Sequence, residues 1–169
     1  MTADLAVELA AVVGRLLKAK GENLVTAESC TGGGVAEAVT AIPGSSEWFD
    51  CGFITYSNEA KQAMLRVSAA TLERHGAVSE ATAREMALGA LTASPGTISV
   101  AVTGVAGPSG GSPAKPVGMV CFAWARSGEA VPRSETRHFS GDRESVRRQA
   151  VVRALQGVVE LLDNAPGAQ

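Results

Sequence analysis

Apolar residues spaced every three or four positions alternate along the chain with short unbroken apolar runs, the pattern of helices laid against a buried sheet. Leu5, Leu9, Val12, Val13, Leu16 and Leu17 share one helical face, and Lys18, Lys20 and Gly21 supply a basic last turn and a stop, predicting a helix over roughly 3 to 20. Leu24 to Glu28 reads as a short strand, and Val35, Ala36 and Val39 as one face of a helix ended by Pro43-Gly44. Ser45 to Phe49 predicts a turn of helix, and Cys51 to Tyr56 has the β-branched and aromatic content of a strand. Asn58 is placed to cap a helix running to Leu65, and Thr71 to His75 predicts a short helical piece closed by Gly76. Ser79 caps a further helix, which Ser94-Pro95-Gly96 stops. Ile98 to Val102 is a continuous apolar run, as in a strand covered on both faces. Gly118 to Ala125 and Arg133 to Phe139 form a hairpin around Ser127-Gly128-Glu129. Asp142 caps a last helix with Val146, Ala150, Val151, Ala154, Leu155, Val158, Val159 and Leu162 as its stripe, and Asp163 to Gln169 reads as a frayed tail. Neither a repeat nor a linker interrupts this order. The expectation is one domain over residues 1 to 169, a three-layer α/β/α sandwich with a mixed, mostly parallel sheet.

Ligands in such sheets collect beyond the carboxyl ends of the parallel strands, here near Ser29, Tyr56 and Thr103. At the first of these, Thr26-Ala27-Glu28-Ser29-Cys30-Thr31-Gly32-Gly33-Gly34 joins a strand end to a helix start, where backbone N–H groups lack partners and the helix dipole is positive. Ser29 and Cys30 are candidate nucleophiles; the competing reading is that Ser29 or Thr31 only caps the helix. Thr103 to Val117 is too rich in Gly and Pro for regular structure and reads as a second wall of the site. Lys61 falls in a first helical turn, where the dipole and any burial lower its pKa toward a neutral base; the alternative is a solvated lysine beside Glu59. Tyr56, the single tyrosine, suits the site or the core equally. Arg143, Arg147 and Arg148 open the last helix against its dipole, which suits an anion such as phosphate or neutralisation by Asp142 and Glu144. His75 and His138 are isolated, and Cys30 with His138 is at most a weak thiol pair. The glycines match neither the P-loop nor the dinucleotide fingerprint.

Composition narrows the classes. With 169 residues, 46% hydrophobic and only 4% aromatic, the chain can bury a closely packed core without disulfides or metals. A net charge of -2 argues against general nucleic-acid binding and for a small solute. Cys30, Cys51 and Cys121 are odd in number and widely spaced, which speaks for thiols in a reducing cytoplasm. Asp4, Glu8, Arg15, Lys18 and Lys20 interrupt the first apolar stretch, so it is read as neither a secretory signal nor a membrane span.

The chain closely resembles the C-terminal domain of the CinA (competence/damage-inducible) family. The matching stretches are TAESCTGG from Thr26, GFITYSNEAK from Gly52, GAVS from Gly76, TGVAGP from Thr103, KPVG from Lys115 and FSGDRESVRRQ from Phe139. Gly34 and Val105 differ only conservatively from that pattern, and the molybdopterin-binding-like domain that precedes it in longer members is not part of these residues. The resemblance implies hydrolysis of the amide of nicotinamide mononucleotide (NMN) to nicotinate mononucleotide and ammonia, without a metal or cofactor. It implies Ser29 as nucleophile and Lys61 as its base, with Tyr56 as a proton relay or neighbour. N–H groups at the helix start formed by Gly32, Gly33 and Gly34 would hold the oxyanion, Thr103, Gly104, Ala106 and Gly107 would line the site, and Arg143 with N–H groups of the loop from Thr103 to Gly111 would grip the 5′-phosphate. The partner is then the small-molecule substrate, with no nucleic acid or membrane, and homo-oligomerisation stays open. The alternative from another class is a non-catalytic module that binds a nucleotide or a protein in competence or DNA-damage responses, with Ser29 a cap and the glycine loop a clamp.

Overall fold

The computed structural model describes residues 2–164, with side chains from Leu5 onward, so the expected tail beyond 164 lies outside the described residues. The helices are α1 (Thr2–Lys20), α2 (Gly34–Thr40), α3 (Asn58–Leu65), α4 (Ala69–His75), α5 (Glu80–Thr92) and α6 (Arg143–Asp163). The strands are β1 (Leu24–Glu28), β2 (Phe49–Ile54), β3 (Ile98–Gly104), β4 (Met119–Arg126) and β5 (Arg133–His138), and Ser45–Glu47 is a single 3₁₀ turn. The sheet has the order β2-β1-β3-β4-β5. β1 pairs in parallel with both β2 and β3, while β3-β4 and β4-β5 are antiparallel, so β4 alone runs against the other strands.

Alternation along the central strands divides the core in two. Leu24, Val100, Val102, Phe122 and Trp124 face α1, α2 and α6, whereas Val25, Ala27, Ala101 and Ala123 face α5 and the end of α3. The second side is lined by alanine, and α5 lies close to the sheet there, with Ser99 Oγ donating to the Ala87 carbonyl at 2.8 Å. A Cβ on Gly89 would stand 1.9 Å from the Leu65 carbonyl oxygen, so only glycine lets the end of α3 dock against α5. That close approach sets the position of α3 and of Lys61 on it.

β1 and the caps of α5 and α6 lie where the pattern predicts, with Ser79 accepting from Thr82 N–H and Asp142 from Ser145 N–H. Several element limits shift by one or two residues, α4 starting at Ala69 rather than Thr71 and β3 running on to Gly104, and two shifts lie next to the site. β2 begins two residues earlier, at Phe49, and ends at Ile54, because its limits follow pairing with β1. Ser57, not Asn58, caps α3, accepting from Ala60 N–H at 3.0 Å. Lys61 therefore sits at the fourth helical position, where the dipole weakens.

Candidate active site

The carboxyl ends of β1 and β3 and the start of α3 meet at a cavity of about 280 Å³ lined by Ser29, Cys30, Lys61, Thr103, Gly107 and Arg143, among others. Ser29 follows β1 directly, and its N–H donates to the Val102 carbonyl at 2.9 Å, so the sheet ladder runs up to the serine. The Thr55 N–H reaches the Glu28 carbonyl at 2.8 Å, tying the segment after β2 to the same point. Lys61 is 1% exposed, unusual for a lysine, and its Nζ lies 3.1 Å from Ser29 Oγ and 2.8 Å from the Thr55 carbonyl oxygen. Burial lowers its pKa, outweighing an opposing effect of nearby Cys30. No carboxylate shares this contact to hold the ammonium, so no ion pair offsets the lowering by burial.

Cys30, one residue on, has the opposite character. Its thiol is buried, and burial pushes its pKa up to about 12, leaving a protonated, unreactive group. His138 stands exposed on the edge strand β5, separated from β1 by β3 and β4, and makes no hydrogen bond to Cys30. Cys30, Cys51 and Cys121 are free thiols, and the described residues hold no cluster of three metal-ligating side chains. No described helix is long and apolar enough to cross a membrane.

Neither Ser29 nor Thr31 caps α2. Glu28, 1% exposed at the end of β1, turns its carboxylate back onto the helix start, accepting from Val35 N–H at 2.9 Å and Ala36 N–H at 3.1 Å. The sequence signal for this residue is an acid ending an apolar strand before a glycine run, and reading by cap motifs passes over it. Gly32 and Gly33, expected at the oxyanion, are not part of the Ser29 cavity lining. The Gly32 and Gly34 N–H groups are engaged, on the Ser29 and Thr31 carbonyls at 3.0 Å each. The N–H groups of Cys30, Thr31 and Gly33 donate to no other described residue, and those of Cys30 and Thr31 directly follow Ser29 in the chain.

Tyr56 is 63% exposed and lines the same cavity, but it makes no hydrogen bond to Ser29 or Lys61, which touch each other directly. Its hydroxyl accepts from Arg143 Nη2 at 3.0 Å, while Arg143 Nη1 donates to the Gly107 carbonyl at 2.8 Å. Thr103 offers the site no free hydroxyl, because Oγ1 donates to the Ala77 carbonyl at 2.8 Å and anchors the approach to α5. Gly104 stays in the β3-β4 ladder. Beyond it, the N–H groups of Ala106, Gly107, Ser109, Gly110 and Gly111 have no acceptor among the described residues, and Arg143 stands beside them. Unpartnered donors next to a guanidinium suit an anion.

Residues 6–162 match the CinA C-terminal domain. The nicotinamide-nucleotide amidohydrolase PncC of Escherichia coli strain K12 is 54% identical over 157 residues, covering 92% of this chain and 94% of that protein. The protein of the same name from Pseudomonas putida is 50% identical over 153 residues, covering 90% and 94%. A crystal structure of a CinA superfamily protein from Klebsiella pneumoniae superposes with a TM-score of 0.90 at 42% identity, over 95% of this chain and 99% of that one. With the match running through every element that builds the Ser29 cavity, the chain belongs to the CinA C-terminal domain family.

Proposed function

We propose that this chain is an amidohydrolase that converts NMN to nicotinate mononucleotide and ammonia through a Ser29 nucleophile and a Lys61 base. The observation that carries the reading is the buried contact of Lys61 Nζ with Ser29 Oγ, 3.1 Å apart, beside the Thr55 carbonyl. The 54% identity to a protein named nicotinamide-nucleotide amidohydrolase supports the choice of substrate. One N–H of the neutral amine, donated to Thr55, leaves the lone pair free to turn to the serine hydroxyl. Ser29 Oγ attacks the carboxamide carbon as its proton passes to Lys61 Nζ. The carbonyl oxygen becomes an oxyanion, for which the Cys30 and Thr31 N–H groups are the free donors that directly follow Ser29. Lys61 returns the proton to the departing nitrogen, ammonia leaves, and an acyl ester remains on Ser29. Water then attacks the ester with Lys61 taking its proton, which goes back to Ser29 as nicotinate mononucleotide departs. The base and the oxyanion donors each contribute about 3 kcal/mol to lowering the barrier. Arg143 and the free N–H groups of the loop after β3 hold the 5′-phosphate.

The test is ammonia release from NMN, without added metal, by the natural sequence and Ser29→Ala in parallel. Release by the first and loss in the second, with substrate still bound, supports the reaction and the nucleophile. Undiminished release by Ser29→Ala would overturn the assignment, and no release by either folded protein would favour a binding module.

A further inference from the structure

We infer that Arg147 is a positioning residue for the reaction, holding the backbone of the nucleophile loop so that its free N–H groups face the reacting carbonyl. The inference rests on Ser29 being the nucleophile of an amidase. Arg147 lies one turn beyond Arg143 on α6, on the opposite side of the loop from Lys61, beside a separate cleft of about 390 Å³ between α1, α2 and α6. Its Nε donates to the Cys30 carbonyl at 3.0 Å and its Nη2 to the Thr31 carbonyl at 3.3 Å. One guanidinium thus grips the two consecutive carbonyls that follow the nucleophile.

The consequence follows from peptide planarity. In a trans peptide the C=O of one residue and the N–H of the next point in opposite directions. Drawing the Cys30 carbonyl toward Arg147 therefore turns the Thr31 N–H away from α6. The Ser29 carbonyl is held by the Gly32 N–H, which fixes the Cys30 N–H in the same way. Neither of these two N–H groups donates to another described residue. A cation on the far end of the peptide also polarises it, which strengthens the N–H as a donor. Gly32 makes the approach feasible. Its φ is +58°, a left-handed conformation, and a Cβ there would come within 3.3 Å of Arg147 Nη2. Glu28 restrains the other end of the loop through Val35 and Ala36, so loop direction is set from both sides.

Arg147 touches neither Ser29 nor Lys61, so its loss should lower kcat and leave substrate affinity nearly unchanged. Two readouts test this: steady-state ammonia release from NMN, and the rate at which a fluorophosphonate labels Ser29. In labelling, the Oγ–P bond forms as fluoride leaves, so the rate reports the nucleophile and oxyanion donors without using NMN. Folding of each variant is checked by thermal melting. Arg147→Ala is expected to lose about 10- to 100-fold in kcat and in labelling rate, with KM within about threefold of the natural sequence. Arg147→Lys, with one ammonium for two carbonyls, should fall between, and millimolar guanidinium should restore part of the alanine variant's rate. Arg148→Ala is the matched control, because that side chain is exposed and pairs with Glu144 at 2.5 Å; it should change neither readout. If Arg147→Ala melts unfolded, the lysine variant carries the test. Unchanged kcat and labelling in a folded Arg147 variant would overturn the inference, as would a raised KM at unchanged kcat, which would mark a substrate contact. Labelling of the natural protein without ammonia release would overturn the amidase reading alone and leave Arg147 judged by labelling. A natural protein that does neither would overturn both.

Discussion

The loops after β1 and β3 stand at the same edge of the sheet and share one cavity, yet they are built in opposite ways. In the loop after β1, Ser29 and Thr31 are buried, and Glu28 and Arg147 hold the backbone from two sides. The loop after β3 carries a run of N–H groups without acceptors, with Ser109 and Gly110 exposed and Arg143 reaching across. Bond-breaking groups gain from fixed geometry and the absence of water, whereas a phosphate is gripped by donors that were solvated before it arrived. Changes in the first loop should therefore act on kcat, and changes around the second on KM.

The largest effect is expected at Lys61. Lys61→Met should lower kcat by about 10³-fold, within the range for loss of a general base. In the natural protein, activity should rise with pH through the lowered Lys61 pKa, with a midpoint below the ordinary lysine value of 10.5, as a pH profile of kcat/KM would report. Stability should follow the same sign. Between the lowered value and 10.5 the folded protein binds fewer protons than the unfolded chain, so stability rises with pH across that window. Lys61→Met should abolish this slope and be at least as stable at neutral pH, which urea unfolding at two pH values would check. A Lys61→Met variant that retains turnover would remove the contrast between the loops.

Arg143→Ala is next, expected to raise KM for NMN by about 10- to 100-fold with kcat within about threefold, since ground state and transition state share the phosphate contact. A fall in kcat alone would place Arg143 with the reacting groups and blur the division. Tyr56→Phe removes only the hydroxyl that accepts from Arg143, so a smaller rise in KM, about two- to fivefold, is expected from the same titration. The smallest effect belongs to Cys30→Ala. With the thiol pushed up to about 12 it stays protonated at neutral pH, and turnover should remain within about twofold, read from steady-state ammonia release.

Features set by near neighbours in the chain were legible before the structure. The limits of β1 and the caps Ser79 and Asp142 depend on alternation or on hydrogen bonds spanning three residues, which a linear pattern contains. The glycine-rich stretch could be recognised as a wall of the site for a similar reason, since its composition resists any regular element. Ser57 replacing Asn58 as a cap is a local miss, two adjacent residues with nearly equal capping tendency.

What only the tertiary structure decided rests on contacts between distant segments. Sequence position alone left Lys61 between a solvated surface lysine and a base; packing of α3 against Gly89 of α5 buries it and brings its amine to Ser29, 32 residues earlier. Thr103 lines the cavity as expected, but its hydroxyl donates to the Ala77 carbonyl, and Tyr56 became a partner of Arg143, 87 residues away. Glu28 caps α2 from the preceding strand, and Arg147 reaches the nucleophile loop from the last helix. By itself the sequence determined which elements form and which residue types stand at the strand ends, because propensity, capping and alternation act over a few residues. Which of those residues are dry, paired or left with free donors depends on burial and on hydrogen bonds across the fold, and these arise only when the layers close on the sheet.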